Sequence, residues 1–130
     1  MKLLLDTHIF IAFLNREIDR LPSRIGYVLS NNSPELYISA ATLWEMAIKS
    51  RLGKLDLGTT LENLPDAAKH GDIEILPIDE HHALASIEPE PSTRDPFDRL
   101  LLAQCLVEGM KLVTIDAALS GHPLSATAGA

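Results

Sequence analysis

The chain has 130 residues, of which 46% are hydrophobic, and it carries a formal net charge of −7. This length and composition predict one globular domain with a core of its own. The acidic balance argues against a broad basic surface for nucleic acid, so a polyanionic ligand would need a local basic patch, a bound metal ion or a dimer.

The N-terminal half alternates strand and helix patterns. Residues 2–5 predict a short buried strand, and residues 8–15 predict a helix directly after it. Residues 21–30 predict a second helix, which is followed by a turn and a strand at residues 36–38. Ser39 then caps a predicted helix that runs to about residue 52.

The C-terminal half continues this alternation. Its predicted elements are, in order, a helix at 60–70, a strand or loop at 73–78, a helix at 79–87, a loop at 88–94, a helix at 96–108, a strand at 112–114 and a short helix from about Asp116. The pattern indicates an α/β domain with a parallel sheet. We expect one domain over residues 1–124, and a tail of small residues at 125–130 that frays.

Cysteine content and hydropathy favour a cytoplasmic protein. Cys105 is the single cysteine, so no disulfide can form within the chain. The longest apolar run, residues 9–14, is far shorter than the roughly 20 residues that cross a membrane. The first residues also lack the pattern of a signal peptide. No membrane association is expected.

Acidic residues stand where predicted strands end and helices begin. The four are Asp6, Glu45, Asp98 and Asp116. Carboxylates beside buried elements are costly unless a partner stabilises them. Ligands of open α/β sheets bind beyond the carboxyl ends of the strands, and two of these acids follow such ends. Converging carboxylates repel one another by roughly 4 kcal/mol per pair at ~4 Å, so they favour a divalent cation. Oxygen ligands suit Mg²⁺ or Mn²⁺.

Each acid also has a purely structural interpretation. Asp95 fits a helix N-cap, with Asp98 at the third helical position of a capping box. Glu45 and Lys49 are spaced as an ion pair on one helix face. Asp116 has the position of a residue that interacts with a helix dipole. Only the joint pattern favours a metal site.

Four short segments together resemble a known family. They are Leu4-Leu5-Asp6-Thr7-His8, the stretch 41–55 around Trp44-Glu45, the sequence Arg94-Asp95-Pro96-Phe97-Asp98-Arg99, and Leu112-Val113-Thr114-Ile115-Asp116. In order and spacing they resemble the PIN domain, and within it the VapC-type toxins of bacterial type II toxin–antitoxin modules. The resemblance covers residues 2 to about 123.

The resemblance implies an α/β/α sandwich that acts as a Mg²⁺- or Mn²⁺-dependent endoribonuclease on RNA. It assigns catalytic roles to Asp6, Glu45, Asp98 and Asp116, and metal contacts to the same four residues and Asp95. Whether Asp95 or Asp98 lies closer to the metal stays open. A homodimer and a cognate antitoxin that blocks the site are also implied. The chain departs from the family pattern at residues 122–124, which give only a weak last strand.

Several neighbours of the acids are candidates for RNA contacts. They are Thr7, Lys49, Arg51, Arg99 and Thr114, with Lys54 and Arg94 extending the basic patch. Helix capping is the alternative role for the threonines, and surface salt bridging for the basic residues. Trp44 and Phe97 are expected in the core, with base stacking as the alternative.

Two other functions compete with a nuclease. A receiver-like or phosphatase-like domain would use Asp6 as the nucleophile in phosphoryl transfer, although Glu45 in the middle of a helix fits that scheme poorly. A non-catalytic binding module would use the acidic pocket to recruit a basic partner.

Overall fold

In the computed structural model, which describes residues 1–128, four strands form a single parallel sheet. The strands are β1 (Lys2–Leu5), β2 (Glu35–Ser39), β3 (Ile73–Leu76) and β4 (Lys111–Val113). Their order is β3-β2-β1-β4, and each neighbouring pair is parallel. Every crossover therefore needs a helical connection, and the predicted α/β fold with a parallel sheet is confirmed.

Seven α-helices connect and cover the strands of residues 1–128. They are α1 (Thr7–Leu14), α2 (Ser23–Ser30), α3 (Ala40–Arg51), α4 (Leu64–His70), α5 (Glu80–Leu84), α6 (Pro96–Glu108) and α7 (Ala117–Ser120). The predicted helix at 96–108 has the observed bounds, because Pro96 starts it and Gly109 ends it in a left-handed conformation at φ +69°.

The central strand β1 is buried on both faces, which divides the core into two layers. Leu3 and Leu5 point to one face, where Ile9 and Phe10 of α1 pack against them. Leu4 points to the other face, into a cluster that includes Leu102 of α6. Successive side chains of a strand point to opposite faces of the sheet, so an apolar strand binds helices on both faces. The result is a three-layer sandwich with the sheet in the middle.

Two predicted boundaries at the C-terminal side differ from the structure. The helix expected over 79–87 stops at Leu84, because the backbone of Ala85 is extended. The weak strand expected at 122–124 is replaced by a single bridge between Leu112 and Ser125. Leu112 donates its N–H to the Leu124 carbonyl and accepts the N–H of Ala126 at 2.8 Å each.

The tail that was expected to fray from residue 125 is packed against this end of the sheet. Ser125 and Thr127 are buried, and their hydroxyls lie 3.2 Å apart in hydrogen-bond contact. Small side chains allow this close approach to β4, so the expectation was wrong for 125–128. Residues 129–130 lie outside the described part of the chain.

Candidate active site

A small cleft of about 90 Å³ lies beyond the C-terminal ends of β1 and β4. It is lined by Asp6, Thr7, His8, Glu45, Lys49, Asp95, Asp98, Leu101 and Asp116. These include all five acids that the sequence nominated. The parallel sheet explains the convergence of Asp6 and Asp116, because β1 and β4 are neighbours and each acid follows one of them.

Asp6 lies deepest in this cleft, with 4% of its surface exposed. It is the N-cap of α1, where its Oδ1 accepts the N–H of Ile9 at 3.0 Å. Burial raises the pKa of Asp6, and the negative charge of Asp116 adds to the rise. Hydrogen bonds from the Thr114 side chain and the Ile9 backbone oppose it, as does the nearby His8. Asp6 is therefore a rigidly held carboxyl group in an unfavourable place for a charge.

Asp95 and Asp98 share the start of α6 but do not form the expected capping box. Asp95 caps the helix by accepting the N–H of Phe97 at 2.9 Å. Its own N–H donates to the hydroxyl of Thr93 at 3.2 Å, and the same hydroxyl donates to Oδ2 of Asp98 at 3.1 Å. Thr93 thus takes the contact that Asp98 would have made in a capping box, and Asp98 lines the cleft.

The electrostatics of Asp98 show how crowded the carboxylates are. Burial and the charge of Asp95 raise the pKa of Asp98 to about 6, and Asp116 and Asp6 contribute to the rise. The hydrogen bond from Thr93 only partly offsets these effects. Mutual repulsion among four acids from three parts of the chain is what a bound divalent cation would relieve.

Glu45 faces the cleft from α3 and has two partners. The hydroxyl of Thr7 donates to its Oε1 at 2.5 Å, and Lys49 donates to its Oε2 at 2.8 Å. The predicted ion pair between Glu45 and Lys49 is present. Thr7 does not cap α1, because Asp6 does; the hydroxyl of Thr7 instead ties α1 to α3. Glu45 is thereby oriented from both sides.

The donor set of the cleft fits a hard divalent cation. Its potential ligands are carboxylate oxygens, which Mg²⁺ and Mn²⁺ prefer. Asp95 and Asp116 each use Oδ1 as a helix cap, which leaves the second oxygen for a ligand. Mg²⁺ keeps several water ligands, so a few well-placed carboxylates suffice to hold it.

A second candidate metal site lies outside the cleft. It is the one group within residues 1–128 in which three His, Cys, Asp or Glu side chains have their ligand atoms within 4.8 Å of one another. The group is Asp79, His82 and Glu108. Nδ1 of buried His82 accepts the N–H of Asp79 at 3.0 Å, so Nε2 carries the proton and donates to Glu108 at 2.7 Å. Both ring nitrogens are engaged. The group joins α5 to α6 through hydrogen bonds that engage both nitrogens of the His82 ring.

Of the seven predicted RNA-contacting residues, Thr7 and Lys49 line the cleft and the other five do not. Two of these five, Lys54 and Arg94, are exposed. Arg51 is exposed at the end of α3. Arg99 is paired with Glu90 and donates to the carbonyl of Thr93 at 3.0 Å, within a separate groove between α5 and α6 of about 630 Å³. Thr114 is fully buried beneath Asp6, where it also accepts the N–H of Asp116 at 3.0 Å. Thr114 does not cap a helix; it orients two acids.

Three further residues describe this region, and Thr93 is the one that sequence reasoning missed. His8 is exposed and lines the cleft, and Thr93 orients both acids at the start of α6. Trp44 is 62% exposed, so the expectation that it lies in the core was wrong. The Thr93-Arg94-Asp95 spacing, with a hydroxyl two residues before an N-cap acid, is the signal that could have revealed Thr93.

Comparisons with known proteins agree with the fold. The family model for the PIN domain matches residues 3–122. The structure is similar to VapBC2 from Rickettsia felis bound to a DNA fragment from their promoter, with 17% identity, a TM-score of 0.61 and 96% of both chains covered. It is also similar to VapBC-1 from nontypeable Haemophilus influenzae, with 19% identity and a TM-score of 0.58, over 89% of this chain and 87% of that chain. No curated protein matches.

No helix within residues 1–128 has the length and apolar character needed to cross a membrane.

Proposed function

The chain belongs to the PIN domain family, and on that premise we propose that it is a Mg²⁺- or Mn²⁺-dependent endoribonuclease that hydrolyses RNA phosphodiester bonds. The observation that carries the proposal is the convergence of Asp6, Glu45, Asp95, Asp98 and Asp116 on one small cleft. Such a set of partly buried acids is unfavourable by itself and is suited to hold a divalent cation.

Asp6, Asp98 and Asp116 would hold the cation, with Asp95 and Glu45 beside them. When bound, the cation supplies a positive charge for a phosphate and activates water for attack on phosphorus. The chain contributes rigidity, because three of the acids are tied to helix N-termini and Asp98 is tied to Thr93. Rigid placement of charged groups is the main protein contribution to such catalysis.

Lys49 and Glu45 have complementary parts in this proposal. The Lys49 ammonium group lies in the cleft at 2.8 Å from Glu45, where it can exchange that carboxylate for a phosphate oxygen. Glu45 remains fixed by the hydroxyl of Thr7 when Lys49 turns to the substrate. An uncharged Glu45 variant should therefore weaken both the cation site and the placement of Lys49.

We place the enzyme in the cytoplasm as the toxin of a type II toxin–antitoxin module. Support comes from the resemblance to VapC-type toxins and from two VapBC structures that share the fold. A cognate antitoxin and a homodimer are part of this proposal.

Family membership and Glu45 in the middle of α3 disfavour the receiver-like alternative. A non-catalytic module that recruits a basic partner would use the same acidic cleft, so RNA cleavage is the measurement that separates it from a nuclease.

The test is cleavage of total bacterial RNA by the purified chain in Mg²⁺, in Mn²⁺ and in EDTA, beside Asp6→Ala and Asp98→Ala. We expect cleavage with either ion, none in EDTA, and products with a 5′-phosphate and a 3′-hydroxyl. Circular dichroism confirms that the variants are folded. A folded wild type that cuts no RNA with either ion would contradict the proposal.

A further inference from the structure

Arg99 of α6 lies outside the acidic cleft but holds the loop that leads to Asp95. One terminal nitrogen of its guanidinium group donates to the carbonyl of Thr93 at 3.0 Å, and the other is paired with the carboxylate of Glu90. Both partners belong to the segment 88–94, which precedes the N-cap of α6. A single side chain of the helix thus fastens two points of this loop.

The loop depends on side chains for its position. Within residues 1–128, no backbone–backbone hydrogen bond involves residues 88–94. The ring of His122 and the hydroxyl of Ser92 anchor the first part of the loop through hydrogen bonds of 2.8 and 3.2 Å. The carbonyl of Thr93, further along, is held by Arg99. The guanidinium group therefore determines where the last part of the loop lies.

This part of the loop affects the cleft because Thr93 orients two of its acids. The Thr93 hydroxyl donates to Oδ2 of Asp98 at 3.1 Å and accepts the N–H of Asp95 at 3.2 Å. Asp98 lies among like charges, so repulsion from Asp95 acts against its place in the cleft. A hydroxyl in a fixed position opposes this repulsion. The contact of Arg99 with the Thr93 backbone fixes that hydroxyl.

We propose that Arg99 is a positioning residue for the cation site, which acts by holding Thr93 and, through Thr93, Asp98. This inference rests on the proposed ribonuclease function and adds a residue outside the cleft to its machinery. It replaces RNA contact as the role of Arg99, because both terminal nitrogens of the side chain already have acceptors within the chain. Removing a partner that orients a metal ligand typically weakens metal binding roughly 10- to 100-fold.

A guanidinium group suits this task better than an ammonium group. It is planar and presents its donors in a rigid fork, so it holds two acceptors of one loop at a fixed spacing. Glu90 is largely exposed, and its ion pair adds little affinity by itself. Its part is to orient the guanidinium plane of Arg99 toward the Thr93 carbonyl. Lysine would keep the charge but hold a single acceptor on a flexible stem.

Mn²⁺ binding to the metal-free full chain tests the inference without RNA, with the free ion measured by electron paramagnetic resonance. Arg99→Met keeps an unbranched side chain without donors and should weaken Mn²⁺ binding about 10-fold or more. Arg99→Lys should show a smaller loss. Arg94→Met is the matched control, because Arg94 is an exposed arginine of the same loop. It should stay within about twofold of the wild type.

Equal Mn²⁺ affinity of folded Arg99→Met and Arg94→Met overturns the proposal. Circular dichroism establishes that each variant is folded. If Arg99→Met does not fold, Arg99→Lys takes its place in the same comparison, and a Mn²⁺ affinity equal to that of Arg94→Met again overturns the proposal.

A double-mutant cycle tests whether Arg99 acts through Thr93. Thr93→Val removes the hydroxyl that contacts Asp98. In that background Arg99→Met should weaken Mn²⁺ binding by no more than about a further twofold, because residues of one network are not additive. Two losses that multiply would mean that Arg99 acts by another route, and the proposal fails.

RNA affinity in EDTA separates positioning from a phosphate contact. A short oligoribonucleotide is bound to the wild type and to Arg99→Met at several salt concentrations. The two proteins should have the same affinity and the same salt dependence. A lost phosphate contact would instead weaken binding and reduce the salt slope by about one. That result, with unchanged Mn²⁺ affinity, assigns Arg99 to RNA and overturns the proposal.

The nuclease function is judged separately, by cleavage in Mg²⁺ or Mn²⁺. RNA cleavage that does not depend on Arg99 defeats only the positioning role. Mn²⁺ binding that depends on Arg99, in a chain that cuts no RNA, defeats only the nuclease.

Discussion

The two ends of α6 carry acidic side chains in opposite electrostatic circumstances. At its N-terminal end, Asp98 lies among other carboxylates, and its pKa is raised to about 6 by burial and by Asp95. At its C-terminal end, roughly 15 Å further along the helix, Glu108 accepts a hydrogen bond from Nε2 of buried His82 at 2.7 Å. At one end carboxylates lie close to one another, and at the other end the carboxylate has a hydrogen-bond donor.

Because of this difference, we assign a function to the acidic cleft and a structural role to the group at the other end of α6. In the group of His82, Asp79 and Glu108 each polar atom of the imidazole has a partner, and the His82 backbone N–H lowers the pKa of Asp79. Such a network stabilises the contact of α5 with α6. The repulsion among the acids of the cleft lowers the stability of this part of the fold, as is expected where a bound ligand completes the site.

The largest effect is expected from removing charge at the N-terminal end of α6. Asp98→Asn should lower RNA cleavage at least about 100-fold, because a charged group that holds the cation is lost. Its thermal unfolding midpoint in EDTA should be equal to or above that of the wild type, since repulsion is relieved. Cleavage assays and thermal melts measure the two results.

Glu108→Gln is the matched control, because it makes the same chemical change at the other end of the same helix. It should leave cleavage within about twofold of the wild type. It should also unfold at a lower temperature. If Glu108→Gln abolished cleavage while Asp98→Asn did not, the catalytic site would lie at the C-terminal end of α6, and the assignment made here would be wrong.

Removing the imidazole at the C-terminal end should affect stability alone. His82→Ala is expected to lower the free energy of unfolding by about 1–3 kcal/mol, because it deletes a buried side chain with two hydrogen bonds. Urea unfolding measures this loss. Cleavage per folded molecule should stay within about twofold of the wild type. His81→Ala, at the exposed neighbouring residue, controls for changes in α5 itself.

A smaller effect is expected from Thr93, which links two acids of the cleft. Thr93→Val removes the donor to Asp98 and the acceptor for the Asp95 N–H. Loss of an orienting partner should reduce cleavage about 10-fold and cost about 1 kcal/mol of stability. Thr93→Ser keeps the hydroxyl and should retain most of the activity. Equal activity of the two variants would show that Asp98 needs no support from Thr93.

The convergence of the acids was predictable because topology determines it. Parallel strands end at one edge of a sheet, so residues that follow β1 and β4 must be neighbours. The bounds of α6 were equally accessible, since Pro96 and Gly109 are strong local signals. Both inferences depend on short-range chemistry and on the order of the elements.

Features that depend on contacts between distant segments were not accessible. The exposure of Trp44 depends on how α3 packs against α6, and α3 has apolar residues on more than one side. The pairing of Arg99 with Glu90 turns that arginine away from the cleft, and the loop before α6 gives no periodic signal for it. The packed tail depends likewise on the free edge of β4.

The smallest effect concerns how the stability of the metal-free protein changes with pH. Burial, followed by Asp95, raises the pKa of Asp98 from 3.8 to about 6. The folded state therefore binds the Asp98 proton more tightly than the unfolded state does. This contribution is present below about pH 4 and is lost as the pH rises through about 6. The raised pKa of Asp6 acts in the same direction.

Asp98→Asn lacks this titration, so its advantage in unfolding free energy over the wild type should grow between about pH 4 and about pH 7. The change should be modest, because Asp98 is partly exposed and solvent screens its charge. Urea unfolding in EDTA measures it. Mg²⁺ or Mn²⁺ should stabilise the wild type above pH 6 and have much less effect on the variant. Parallel curves for the two proteins at every pH would mean that Asp98 is not crowded, and the contrast between the ends of α6 would fail.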